Sequence, residues 1–131
     1  MSEQNLRALV IDDEISTRDL FPRFLNRYRC SADVAETCKE GIEKFNVNPA
    51  LYDLVVTDLN QTPSGTDIIQ AVRTSTNPNI PVYIMTGGTD SQELYDKAKE
   101  LVGEERFIQK PFDFDSICKR ITKEAKELKY K

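Results

Sequence analysis

Short, almost continuously apolar runs alternate with longer amphipathic stretches along this entire chain, and no other feature restricts its fold as much. The runs cover Leu6–Ile11, residues 31–35, residues 54–57, Val82–Thr86 and residues 106–109. The first, third and fourth are apolar at nearly every position, as strands buried on both faces should be. The intervening stretches predict helices. One spans residues 14–28, with Ile15, Phe21, Phe24, Leu25 and Tyr28 on one face and Pro22 inside it. A second spans residues 37–45, before the breaker at residues 46–49. A third spans residues 64–74, with Ser64 and Asp67 in capping-box spacing. A fourth starts at Asp90 with Glu93 three residues on, and carries Leu94, Ala98 and Leu101. The last starts at Asp113, after Pro111, and turns Ile117, Ile121, Ala125 and Leu128 inward. Strict alternation of this kind makes a doubly wound parallel α/β sheet. It uses residues 1–131 as a single domain with no linker or repeat.

Composition removes several classes of chemistry. The 131 residues carry 18 Lys+Arg against 22 Asp+Glu, so the chain is acidic overall and lacks a nucleic-acid footprint. No apolar stretch approaches the ~18 residues that would cross a membrane, and the polar start carries no signal-peptide core. Three cysteines (Cys30, Cys38, Cys118) without C-x-x-C spacing suit neither a disulfide framework nor zinc, and fit a reduced cytoplasmic protein. Zero histidines exclude a Ser-His or Cys-His nucleophile within the chain. Polar chemistry here falls to carboxylates, hydroxyls and lysine.

In a doubly wound sheet, ligands sit beyond the carboxyl ends of the strands, so those ends are the place to look. Strand one ends in Asp12-Asp13, which alone would read as a helix cap. Strand three ends in Asp58, alone a turn former. Strand four ends in Thr86-Gly87-Gly88, alone a glycine turn into the next helix. Bare backbone beside a hydroxyl is also what a phosphate needs for close approach. Strand five ends in Lys110-Pro111, alone a solvated lysine; the X-Pro bond can also be cis. Together the four ends bring acids, a hydroxyl and an amine to one edge. Three carboxylates that close repel one another unless a cation joins them, and oxygen-only ligands suit Mg²⁺. Asp12, Asp13, Asp58, Lys110 and one Mg²⁺ carry no net charge.

These residues resemble the receiver domain of two-component response regulators over essentially the whole chain. Asp12-Asp13 matches the family's acidic pair, Asp58 its phosphoacceptor, Thr86 its switch hydroxyl, Lys110-Pro111-Phe112 its Lys-Pro motif and Phe107 its switch aromatic. The resemblance implies strand order 2-1-3-4-5 and a metal site in which Asp13, Asp58 and the Asn60 backbone carbonyl hold Mg²⁺ directly and Asp12 acts through water. It implies that Thr86, Lys110, Gly87 and Gly88 bind the phosphoryl oxygens. It also implies a sensor histidine kinase or histidine phosphotransfer protein as donor and a downstream protein as target. Helix four, strand five and helix five, around Tyr95 and Phe107, would form the output face. One departure stands out: Thr62 occupies the position where such domains commonly carry proline, with Pro63 and Gly65 following, so the loop into helix three is expected to be one residue shorter.

Two alternatives belong to other classes. A Mg²⁺-dependent phosphohydrolase of the dehalogenase type would place its nucleophile in a D-x-D motif on strand one; here strand one ends in adjacent acids and the isolated Asp is on strand three. A flavodoxin-like binding module would leave the acids and lysine merely structural. The reading is therefore a phosphoacceptor switch, not an enzyme, in a stand-alone receiver. One feature stays outside this function: residues 119–131 hold six basic and two acidic side chains, an excess of cations on a net-acidic chain.

Overall fold

The computed structural model describes residues 5–59, 65–87 and 91–131. Its strands are β1 (Leu6–Ile11), β2 (Cys30–Ala35), β3 (Leu54–Asp58), β4 (Val82–Thr86) and β5 (Phe107–Gln109). They pair in parallel in the order β2-β1-β3-β4-β5. The helices are α1 (Ile15–Asn26), α2 (Cys38–Val47), α3 (Gly65–Arg73), α4 (Gln92–Val102) and α5 (Phe114–Lys129). Fold class and strand order are those expected from the sequence.

Alternate residues of each central strand face opposite helical layers. Leu9, Ile11, Val55 and Ile84 pack under α2, α3 and α4, while Ala8, Val10, Val56, Tyr83 and Met85 pack under α1 and α5. Every residue of β3 and β4 is buried, which explains why these runs lack polar alternation. Each large aliphatic side chain so buried contributes roughly 1.5–3 kcal/mol. Gly41 lets α2 approach the sheet, because a Cβ there would collide with the Ile11 side chain. Gly103 ends α4 at φ +88°, where a side chain would be strained and would meet Glu105 at 2.7 Å.

Several local expectations are corrected. Ile15 is 76% exposed rather than inward, because α1 begins there, beyond the edge of the sheet. Leu128 is exposed, since the last turns of α5 run past the core. The N-cap of α4 is Ser91, whose hydroxyl accepts from the Leu94 amide at 3.4 Å. Asp90, Ser64 and the loop over residues 61–64 lie outside the described residues. Asp113 caps α5 as expected, accepting from the Asp115 and Ser116 amides. α1 continues through Pro22, and the Lys110–Pro111 peptide is cis.

All three cysteines are fully buried. Burial pushes the thiols of Cys30 and Cys118 up to about 12 and that of Cys38 to about 11, far above the ~8.5 of a free cysteine. The thiolate is the reactive form, so at pH 8 an alkylating reagent is expected to leave the folded protein unmodified within minutes. It should label all three cysteines after unfolding in denaturant, counted by intact mass. Rapid labelling of the folded chain would contradict this packing.

Candidate functional site

The site forms where β1, β3, β4 and β5 end. Register places Asp58 beside Met85 and Thr86 beside Gln109, and a backbone bond from the Lys110 amide to the Thr86 carbonyl (2.8 Å) ties the fourth and fifth strand ends together. A second, from the Leu59 amide to the Met85 carbonyl (3.0 Å), fixes the chain just after Asp58. Rigid strand ends thus aim the side chains.

At the centre lies the Lys110 ammonium. It donates to Asp12 at 2.8 Å, to Glu14 at 2.7 Å and to Asp58 at 3.4 Å. Asp12 is fully buried; its second oxygen accepts the Glu14 amide at 2.9 Å, so it shapes the turn rather than capping α1. Arg18 closes the same turn by donating to the Asp12 and Asp13 carbonyls. Burial raises the Asp12 carboxyl above its usual range, and the Lys110 hydrogen bond offsets this only in part. For Lys110 burial acts to lower the pKa, but hydrogen bonds to Asp12 and Glu14 and the nearby charges outweigh it and push the ammonium well above its usual value. Lys110 is charged at every physiological pH.

Glu14 was not singled out from the sequence, where it marks the start of a helix. It stands at the N-cap position of α1 but makes no side-chain cap, because its carboxylate is turned to Lys110. The run Asp12-Asp13-Glu14 at a strand end was the available signal. Asp13 is exposed and is not in the acidic group, which among the described residues comprises Asp12, Glu14 and Asp58, with carboxylate oxygens within 4.8 Å of one another. With Lys110 this group carries a net charge of −2, and hard oxygens at that charge fit one divalent cation. Asn60 and Gly88 lie outside the described residues.

Thr86 is buried at the end of β4, and a Cβ placed on Gly87 would meet nothing within 4 Å. The space beside Gly87 is therefore open. Next to it is a cleft of about 340 Å³ lined by Thr86, Gly87, Gln92, Tyr95, Glu104, Phe107 and Gln109. Phe107 is half-buried and meets Tyr95 edge-on, ring centroids 4.7 Å apart. A hydroxyl, a cleft and an aromatic pair thus form a continuous path from the strand ends to the surface of α4 and β5.

The sequence profile of the response regulator receiver domain matches residues 8–122. The chain belongs to the response-regulator receiver family. Its fold superposes on a receiver-domain crystal structure from Clostridium thermocellum with a TM-score of 0.80 and 26% identity, covering 95% of this chain and 98% of that one. Among curated proteins, the receiver is 29% identical over 118 residues to the transcriptional regulatory protein ZraR of Klebsiella oxytoca. That alignment covers 89% of this chain and 26% of ZraR. It is 30% identical to the transcriptional regulatory protein DltR of Streptococcus agalactiae, covering 88% of this chain and 50% of DltR. The receiver thus spans a quarter to a half of the length of these relatives. Receivers of this family act as phosphoacceptor switches in two-component signalling, and the acidic group of Asp12, Glu14 and Asp58 is in keeping with that. No helix among the described residues is long and apolar enough to cross a membrane.

Proposed function

We propose that this receiver accepts a phosphoryl group on Asp58 from a phosphohistidine of a sensor kinase or histidine phosphotransfer protein, and that the new charge reshapes the face formed by α4, β5 and α5. The observation that carries this reading is the Lys110 ammonium held among Asp12, Glu14 and Asp58 at one sheet edge. A carboxylate oxygen of Asp58 attacks phosphorus, the phosphorus–nitrogen bond breaks, and the imidazole leaves with the electron pair and takes up a proton from solvent. Lys110 needs little movement to donate to a phosphoryl oxygen, and, as the family resemblance implies, the Thr86 hydroxyl and backbone N–H groups near Gly87 and Gly88 would complete the cradle. Phosphoryl transfer depends mainly on positioning and charge neutralisation, which these groups supply.

Asp13, Asp58 and the Asn60 carbonyl would hold Mg²⁺ directly, with Asp12 acting through a water and Glu14 close enough to share Lys110 or release it. When bound, the cation supplies positive charge against the incoming oxygens. Water later attacks the same phosphorus, the phosphorus–oxygen bond breaks, and the Asp58 carboxylate and inorganic phosphate are restored. The dehalogenase-type alternative gains no support: the carboxylate at the end of the central strand is Asp58 on β3, facing Lys110.

The cleft beside Thr86 supports one route by which the charge would be read. Phosphorylated Asp58 adds roughly one to two negative charges, and Thr86 can turn in to donate to it. That vacates space which the half-buried Phe107 ring can fill, shifting its edge-on partner Tyr95 at the surface. Two packings a few kcal/mol apart suffice for phosphate to bias their populations. Incubation with a small phosphodonor and Mg²⁺, followed by intact-mass spectrometry, is expected to show one added phosphoryl group, and none when the metal is chelated before the phosphodonor is added. No added mass, or mass gained equally without metal, would refute the proposal.

A further inference from the structure

The cation-rich C-terminal stretch takes no part in the site, and the fold gives it a setting that the sequence does not show. A groove of about 330 Å³ runs between the end of α1 and the flank of α5. Arg27 and Arg29 stand on one bank and Lys119, Lys123 and Lys126 on the other, with Tyr28 beside them and the buried Leu6 and Thr122 as floor. Among the described residues no acidic side chain lines it, although the chain as a whole has 22 acids against 18 bases. Asp115, just outside, reaches Arg27 at 3.3 Å and accepts the Tyr28 hydroxyl at 2.7 Å. The three lysines make no ion pair within 4 Å among the described residues, and all three are exposed. The groove opens at the start of β1, so it lies ~16 Å, the length of that strand, from the edge that carries Asp12 and Asp58.

We propose that this groove docks an acidic amphipathic helix of a partner protein. Lys119, Lys123 and Lys126 follow i, i+4, i+7 spacing, one straight stripe ~10 Å long. Carboxylates at the same spacing on a helix laid alongside would meet all three, and the arginines on the opposite bank add to the positive charge that such a helix would face. The apolar floor takes one aliphatic side chain. A long polyanion such as duplex DNA would also have to pass the acidic remainder of the molecule, which opposes it; a short helix would not.

The test uses the full chain and two labelled synthetic helical peptides. One carries glutamates at i, i+4, i+7 around a single leucine, and the other has those glutamates replaced by glutamine. Anisotropy titration is expected to give saturable, salt-sensitive binding of the acidic peptide and binding at least ~10-fold weaker for the glutamine peptide. The triple variant Lys119→Glu, Lys123→Glu, Lys126→Glu should also bind the acidic peptide at least ~10-fold more weakly, with phosphorylation of Asp58 unchanged. Lys123→Gln alone, at an exposed position, gives a smaller loss and serves if the triple variant does not fold. Equal binding of both peptides, or no loss in either variant, would overturn the proposal. So would tighter binding of a short DNA duplex or an anionic lipid vesicle, or self-association of the chain that the triple variant abolishes.

Discussion

Asp58→Asn is expected to abolish phosphorylation, leaving no added mass after treatment with a small phosphodonor and Mg²⁺. Asparagine keeps the shape of the side chain and its place at the end of β3, but its amide oxygen is a far poorer nucleophile and carries no charge. Asp58 is the carboxylate at the end of that fully buried strand, it is itself 8% exposed, and it shares the Lys110 ammonium with two other acids. Asp13 is more accessible to solvent, yet it lies outside this group, so it is not the acid we propose as acceptor. A variant that still gains a phosphoryl group would move the acceptor elsewhere.

Lys110→Ala should have two large effects of opposite sign. Phosphorylation should slow by about 10–100-fold, because a hydrogen bond from a charged donor to a developing phosphoryl charge is worth roughly 1.5–3 kcal/mol. Mg²⁺ should bind more tightly, by about tenfold, because the group of Asp12, Glu14 and Asp58 goes from a net −2 to a net −3. Isothermal titration with Mg²⁺ and the time course of added mass separate the two. The variant should also be less stable at neutral pH, where three carboxylates are left facing one another. In the parent the raised lysine contributes stability at all pH values below its unfolded value of ~10.4, and loses it as pH climbs through the higher folded value. Weaker metal binding in Lys110→Ala would show that the lysine assembles the acidic group instead of competing for it.

Most of the fold was legible because both-face burial leaves a plain trace. Runs such as Leu54-Val55-Val56 cannot alternate when helices cover each side, and the polar residue that follows marks the strand end. The order of the strands, in contrast, came from the family resemblance. The site was legible as positions: Asp12, Asp58, Thr86 and Lys110 do fall at neighbouring strand ends. Its pairings were not. Nothing in Asp12-Asp13-Glu14 says which carboxylate turns to the lysine. That depends on the Asp12 oxygen holding the Glu14 amide, a contact local in sequence but set by burial of Asp12. Ile15 fits the apolar helical pattern yet lies beyond the sheet, since periodicity reports a face and not where a helix outruns its support. The hydrogen bond from the Tyr83 phenol to Glu124 joins residues 41 apart, and the salt bridge from Arg106 to Glu124 links the turn just before β5 to the same side chain. Neither has a sequence signature.

The proposed switch rests on Thr86, Phe107 and Tyr95 responding together to charge at Asp58. The amide NMR spectrum of the chain with Mg²⁺, recorded before and after adding the phosphoryl mimic BeF₃⁻, tests this most directly. Large shifts are expected at Thr86 and Lys110 together with shifts at Tyr95 and Phe107, carried along the cleft to the surface of α4 and β5. Shifts confined to the strand-end loops, with Tyr95 and Phe107 unmoved, would contradict it.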